Sequence, residues 1–493
     1  MPMEVFNYPA WNLIALERGS AIPLYQQLFA QLRGLIADGR IPRGARLPPS
    51  RMLSDELAIS RNTVVLAYEK LATEGYLQKR LGAGTFVEQV FPEDHLPRPP
   101  VAMPGGDERP ARPSIHAEAL LALDVPPERI ERFGLSPGIP ALNEFPYEVF
   151  ARLAGQHWRA HAASHTGYDY ARATLPLSRQ IAAYLEETRG IVCRPEQVII
   201  FSSTVQAAAM TAHVLLNQGD RVLLEDPGHV TQLATLTACG LRVEPVPVDD
   251  DGFDIAAHDH AASPARLAIV SAVEQFPFGC TMSAARRQAL LDWAAAEDGW
   301  VLEDDFNSEI RWSGAPVPPL HAGNSGRVVY TSSFNRVLAP GLRLAYLVAP
   351  QELIEAFKLA QRIFSFYAPL PDQALVAEFM RSGHLASHLR RMRAIYRERA
   401  GTLADGLRSH LGGDFIVPDV KAGLHLTIRS PRPFDDRAVS KRLLDHEMDC
   451  PPLSRYCRSA LKRHGFVLGF GNNPVKRIRR YAEILARTIE ELG

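Results

Sequence analysis

VVYTSSFNRVLAPGLRLAY, residues 328–346, decides how the larger part of this chain folds. An apolar, strand-like run breaks into small polar residues and recovers into a second apolar run after Pro340 and Gly341. This strand–loop–strand pattern predicts a loop at a sheet edge, where open α/β sheets hold their ligands. Ser332, Ser333, Asn335, Arg336 and Arg343 gather in or beside that loop and suit an anion. The stretch contains no lysine.

Outward from it, apolar runs alternate with helical stretches: VIIF at 198–201, RVLLED at 221–226, LAIVSAV at 267–273, WVLEDD at 300–305 and LAYLVA at 344–349. Helical patterns at 205–216 and 284–296 lie between them, so the spacing predicts an α/β fold with a mainly parallel sheet covered by helices on both faces. After Pro350 longer amphipathic helices follow, and residues 415–470 read as a smaller α/β subdomain. Asp304 and Asp305 close a buried run, which aims at least one carboxylate at a crevice. Ser202 and Ser203 precede a helix start, where a phosphate meets exposed N–H groups. Asp226, Pro227, Gly228 and His229 end another strand. Taken singly, each of these is more often a cap, a turn residue or a surface charge; their order and spacing, with Ser333 and Arg343, point to a phosphate cup with one acidic partner.

The first ninety residues have another pattern. Leu24, Leu28, Leu32, Leu35 and Ile36 recur at helical spacing, SRMLSDELA opens a short second helix after Pro48 and Pro49, and RNTVVLAYEKLATEG forms a third. YLQKRLGAGTFV then predicts two short strands joined by Gly82, Ala83 and Gly84. Three helices with a tight second turn and a glycine hairpin describe a winged helix-turn-helix, whose third helix enters the major groove of duplex DNA. Ser60, Arg61, Asn62 and Thr63 begin that helix, and Arg61 has the fork that reads a guanine edge. Arg51, Lys79 and Arg80 suit phosphate contacts, with Gly82 shaping the wing. The plainer reading is a three-helix bundle with solvated charges. The organisation expected is a DNA-binding domain at 1–88, a proline-rich tether at 89–130 and an α/β domain at 131–493, to which the family resemblance given below assigns effector binding and dimerisation.

Composition bounds the rest. A chain of 493 residues exceeds one core, and 46% hydrophobic with 22% charged residues is ordinary for a globular protein. The net charge of −1 gives no overall pull toward nucleic acid, so any such pull is local. Five scattered cysteines show no metal-ligand spacing and favour reduced thiols. Without a signal pattern or a membrane-spanning apolar run, the expectation is a soluble cytoplasmic protein with no metal and no membrane partner.

Residues 45–87, including the SRNTV turn, the EGYL junction and the GTFV wing, resemble a GntR-type DNA-binding domain. GDRVLLEDPG at 219–228, QFPFG at 275–279, EDDFNSEIRW at 303–312, LAPGLRLAYL at 338–347 and HLRRMRAIYRER at 388–399 resemble a fold-type-I aminotransferase in the same order. The whole chain is similar to the MocR (GabR-like) transcriptional regulators. That resemblance implies a homodimer on a double-stranded DNA operator, a small-molecule effector, and pyridoxal phosphate held as a Schiff base. It would place Asp304 at the pyridine nitrogen and Ser333 and Arg343 on the phosphate, with the helix start near Ser203 assisting. His229 would stack on the ring in place of a tyrosine.

The departures from the family pattern cluster at the chemistry. Arg336 stands where the family has its Schiff-base lysine, and a guanidinium is not an amine nucleophile. Phe306 replaces a tyrosine, Thr204 a glycine and Phe278 a threonine. Lys358, Lys421, Lys441, Lys462 and Lys476 lie outside the loop, and only Lys421 is near enough in pattern to check for reach. The expectation is therefore no catalytic residue and no covalent cofactor. Arg336 is left to bind an effector or pyridoxal phosphate non-covalently, or to pair with Asp304 in a dead pocket. The competing readings are an active aminotransferase using another amine and a regulator governed by protein contacts alone.

Overall fold

The computed structural model describes residues 13–80, 82–91, 112–123, 125, 133–166, 170–323, 326–459 and 463–492. The chain forms two compact units, Met1–Ala111 and Arg112–Gly493. The proline-rich stretches at 92–111 and 126–132 lie outside the described residues.

In the first unit, α1 (Leu24–Ala37), α2 (Ser50–Glu56) and α3 (Arg61–Thr73) precede a hairpin of β1 (Leu77–Arg80) and β2 (Gly84–Val87). Leu28, Leu32, Leu35 and Ile36 fall on one face of α1 and pack against Leu53, Val64, Ala67, Tyr68 and Leu71. The buried Tyr68 hydroxyl donates to the Pro48 carbonyl at 3.0 Å, so that core carries a satisfied polar group. Arg80 pairs with Gly84 across the hairpin, and Gly82 turns it at φ 74°, a left-handed conformation that glycine adopts without strain. The three helices and the glycine wing stand where the periodicity put them.

The second unit opens with α4 (Ile115–Leu121), capped by the Ser114 hydroxyl, then α5 (Tyr147–Thr166) and α6 (Tyr170–Arg189). The sheet strands and their crossovers follow: β3 (Val198–Phe201), α7 (Thr204–Leu215), β4 (Arg221–Asp226), α8 (Val230–Ala238), β5 (Arg242–Asp249), β6 (Gly252–Phe253), β7 (Leu267–Val270), α9 (Ala284–Ala296), β8 (Trp300–Asp304), α10 (Leu320–Gly323), β9 (Val328–Ser333) and β10 (Ala345–Val348). Helices α11 (Ile354–Phe364), α12 (Leu370–Arg381) and α13 (His384–Leu411) lead to a small subdomain. It comprises β11 (His425–Ser430), α14 (Asp436–Leu444), β12 (His464–Gly469) and α15 (Val475–Leu492).

The large sheet has eight strands in the order β3-β10-β9-β8-β7-β4-β5-β6. From β9 to β5 neighbours are parallel, while β10 runs antiparallel between β3 and β9. Both faces are covered, and side-chain alternation sorts the strand residues between them. Val198, Ile200, Tyr330 and Tyr346 enter a core shared with α5, α6, α12 and α13; Ile199, Phe201, Val329 and Leu347 enter one shared with α7, α8 and α11. The runs at 267–273 and 344–349 are shorter as strands than their apolar pattern. Strand β5 is absent from the sequence reading because Pro245 and Pro247 interrupt it. It is tolerated near the sheet margin, where only the two-residue β6 pairs beyond it. Ser332 and Ser333 belong to β9 itself and not to the loop, which begins at Phe334.

Candidate functional site

In the first unit, Arg51, Ser60, Arg61 and Asn62 are exposed and Thr63 is half-buried. The Ser60 hydroxyl accepts from the Thr63 N–H at 3.1 Å and shares a 2.8 Å hydrogen bond with the Thr63 hydroxyl, so it caps α3. Arg61 Nε donates to Ser50 Oγ at 3.3 Å, which holds its stem at the junction of α2 and α3. Lys79 stands 3.6 Å from Glu69 in an exposed pair, worth little in water. Arg80 lies over the Phe86 ring at 4.8 Å. Capping thus uses the oxygens of Ser60 and Thr63, while Arg61 and Asn62 project from the first turn.

In the second unit, the ends of β3, β10, β9 and β8 form one edge. Phe201, Ala345 and Ser333 are partners across three neighbouring strands, and Asp304 is the partner of Thr331 one strand further. Ser203 and Arg343 each lie two residues beyond that row. The sheet therefore brings Ser203, Thr204, Ser333, Arg343 and Asp304 to one edge. Ser203 caps α7, accepting from Gln206 N at 3.1 Å while the Gln206 side chain accepts from Ser202 N at 2.8 Å. Arg343 is exposed in a left-handed conformation at φ 51°.

Alternation at the end of β8 sends the two aspartates apart. Asp305 receives Arg189 Nη2 at 2.6 Å and the Tyr330 hydroxyl at 2.8 Å, a buried structural pair. Asp304 accepts from Gln232 Nε2 at 3.1 Å through one oxygen, and its Oδ1 is buried with no hydrogen-bond partner. Burial raises its carboxyl to about 7, against the pull of the Arg336 charge and the Gln232 bond and with some repulsion from Asp305. The Arg336 guanidinium lies 4.4 Å from the centre of the Phe306 ring. The His229 ring stacks on Phe276 at 4.2 Å and meets Phe306 edge-on at 6.0 Å. Asp304, Phe306, His229 and Arg336 are thus one cluster, next to a small apolar core of Val230, Phe276, Phe306, Leu453, Tyr456 and Val467.

Gln232, Phe276 and Arg189 escape a sequence reading of this site. Only Phe276 lies in a quoted motif; nothing local marks a glutamine within α8 or an arginine at the end of α6 as a partner for β8. Asp226 serves the frame, accepting N–H groups of Arg458 at 2.8 Å and Ser459 at 2.7 Å. Gly228 is required in the following turn because a Cβ there would lie 2.2 Å from the Glu225 carbonyl oxygen. Among the lysines, Lys358 pairs with Glu355 at 3.6 Å on α11, while Lys441 and Lys476 are exposed on α14 and α15. Lys421 lines a separate cleft with Glu274 and Arg311, and Lys462 lies outside the described residues. No described helix is long and apolar enough to cross a membrane, and no described group of His, Cys, Asp and Glu could hold a metal ion.

Residues 141–457 match the family profile described as aminotransferase class I and II, and residues 24–87 match that of the bacterial regulatory proteins of the gntR family. The chain belongs to the class I and II aminotransferase family and carries a gntR-type head. Within it, the chain is similar along nearly its whole length to proteins that share both parts. The probable rhizopine catabolism regulatory protein MocR of Rhizobium meliloti is 33% identical, covering 95% of this chain and 94% of that protein. The pyridoxine biosynthesis transcriptional regulator PdxR of Corynebacterium glutamicum is 30% identical, covering 94% and 96% respectively. Among solved structures, the kynurenine aminotransferase of Pyrococcus horikoshii superposes with a TM-score of 0.68 at 23% identity, covering 77% of this chain and 95% of that one. This last likeness speaks for the fold alone.

Proposed function

We propose that the protein is a cytoplasmic, homodimeric transcriptional regulator whose head binds duplex operator DNA. Its body, on this reading, holds a small anionic ligand without transferring amino groups. The observation that carries the reading is Arg336, a cation that lies over Phe306 and acts on Asp304; the sequence resemblance assigns it the place of the family's Schiff-base lysine. A guanidinium keeps its proton at physiological pH and offers no free amine to condense with an aldehyde. The regulator names of MocR and PdxR support the role of the head.

The residues present suit pyridoxal phosphate at both ends of the molecule and lack only the tether. Asp304 Oδ1, buried and without a partner, would accept a pyridine N–H. Ser203, Ser333 and Arg343, at neighbouring strand ends, would hold the phosphate. When bound, the cofactor supplies an electron-withdrawing ring, which is the part of the chemistry that belongs to it and not to the protein. The chain's own residues would orient it: Asp304 would hold the ring nitrogen, His229, stacked on Phe276, would flank the ring, and Phe306 would keep water out beside Arg336.

The purified full chain is to be mixed with pyridoxal phosphate, treated with borohydride and weighed by mass spectrometry. The expected result is pyridoxal phosphate that dialysis removes and no added mass. A stable mass increase would sink the reading. For the head, Arg61→Ala should weaken binding to a selected operator by about 1–3 kcal/mol, with little change on random duplex. Equal losses on both, in anisotropy titrations at one salt concentration, would make Arg61 a phosphate contact and not a base reader.

A further inference from the structure

Two glutamines one turn apart on α1 hold a segment of the head that lies outside its three helices. Ala15 N–H donates to Gln31 Oε1 at 2.9 Å, and Gln31 Nε2 donates back to the Ala15 carbonyl at 2.6 Å. Gln27 does the same for Glu17, accepting its N–H at 2.9 Å and donating to its carbonyl at 3.0 Å. Gln27 Nε2 also donates to the Ile22 carbonyl at 2.6 Å, which closes the loop between Glu17 and α1. The alternate residues Ile14 and Leu16 pack against the core of the head.

The pairing has a geometric basis. Four residues of α-helix rise about 6 Å, and two residues of extended chain advance about 6.6 Å. Side chains at i and i+4 on a helix therefore meet backbone groups at every second residue of a segment laid along it. An amide side chain carries an acceptor and two donors, so each glutamine satisfies the N–H and C=O of one residue as a paired strand would.

The segment ends on Arg18, whose Nη2 donates to the Ala58 carbonyl at 2.6 Å. Ala58 stands in the turn between α2 and α3 at φ 52°, a left-handed conformation that a residue with a Cβ disfavours. Within the turn, Ile59 N–H reaches the Ser54 carbonyl at 3.0 Å, and Ala58 N–H reaches that of Asp55 only at 3.4 Å. Ser60 and Arg61 follow directly, so the way α3 starts depends on how this turn is held.

We propose that residues 13–18 are a strap that sets the third helix of the head, and that Arg18 is a positioning residue for sequence readout. Gln27 and Gln31 anchor the strap on α1, and Arg18 carries that anchorage to the Ala58 turn and so to Ser60 and Arg61. The inference rests on the reading of the head as a DNA-binding unit whose third helix meets the bases. An exposed arginine in such a unit has a simpler use as a phosphate contact. That use costs affinity on every duplex when it is lost, whereas a lost positioning residue costs discrimination.

Anisotropy titrations of the full chain compare a duplex selected by the wild type from a random pool with a random duplex of equal length. Arg18→Met keeps the apolar stem without the donors. It should weaken binding to the selected duplex about tenfold, with the random duplex and the salt dependence unchanged. Arg18→Lys, which returns a donor to the Ala58 carbonyl, should recover most of the loss. Gln27→Leu with Gln31→Leu should reproduce it, and adding Arg18→Met to that pair should weaken binding no further, because the three side chains act as one device. Amide exchange of the free chain needs no DNA: peptides covering 57–63 should exchange faster in Arg18→Met, with those of α1 unchanged. Equal losses on both duplexes with a salt slope lower by about one would make Arg18 a phosphate contact. Additive losses, or a lower melting temperature with discrimination intact, would make the strap a brace with no part in readout. Each of these overturns the proposal. Arg61→Ala separates it from the reading beneath: if that variant loses discrimination and Arg18→Met does not, the strap alone falls, and if neither does, the reading of the third helix falls as well.

Discussion

Arg189→Met is expected to destabilise the second unit by about 3–5 kcal/mol, because it breaks a buried ion pair from one side. The Arg189 side chain is 6% exposed and that of Asp305 2%, with 2.6 Å between Nη2 and the carboxylate. The same guanidinium donates to the Val317 carbonyl at 3.2 Å, so it also ties the end of α6 to the segment after β8. Its removal leaves Asp305 among buried acids. Burial, and then the charge of Asp305, already raise Glu303 and Glu309 to about 7. Urea unfolding of the full chain, followed by circular dichroism, would read the loss as an earlier transition of this unit. The double variant Arg189→Met with Asp305→Leu should recover much of it, since a matched apolar pair avoids the stranded charge. A single-variant loss below about 1 kcal/mol would show that the pair is dispensable.

Arg336→Lys should turn a protein that releases pyridoxal phosphate on dialysis into one that keeps it after borohydride. The substitution supplies the one group that Asp304, Ser203, Ser333 and Arg343 lack, and it removes the cation from the Phe306 face. The expected change is from no added mass to a large fraction of chains carrying the reduced cofactor. Failure of the variant to retain it, with Asp304 and the fold intact by circular dichroism, would mean that the ring cannot sit at this edge. The Phe276, Phe306 and Val467 core would then be what fills it.

Much of the fold was legible because strand and helix faces repeat locally. VIIF is apolar at every position and VVYTSS through its first three, and in the structure every residue of both is buried. The helix starts were equally readable: Ser60, Ser203 and Ser283 each accept an N–H three residues on. Gly82 and Gly84 marked the wing by their freedom to take positive φ. Strand β5 was not legible, because the prolines at 245 and 247 argue against a strand unless one knows that it lies near the margin of the sheet.

The site was legible in its members and not in its partnerships. Asp304 could be named as a crevice carboxylate from its place after WVLE. That Asp304 turns to Gln232 while Asp305 turns to Arg189 depends on helices packed against opposite faces of β8, with partners 72 and 116 residues away. Likewise, His229 could be read as a stacking ring, yet its neighbour Phe276 comes from a loop at the end of another strand.

The sequence by itself determined two folding units, a winged head and a sheet covered by helices, and the residue types that gather at the strand ends. These follow from periodicity, capping and turn chemistry, which act over a few residues and leave their mark in the order of letters. Only the tertiary structure decided that β10 runs antiparallel between β3 and β9, which of two adjacent aspartates keeps an unpartnered oxygen, and that Glu274 and Arg311, 37 residues apart, pair beside a separate cleft. Those outcomes depend on which distant side chains come within hydrogen-bond reach when the layers close, and local pattern carries no information about such long-range contacts.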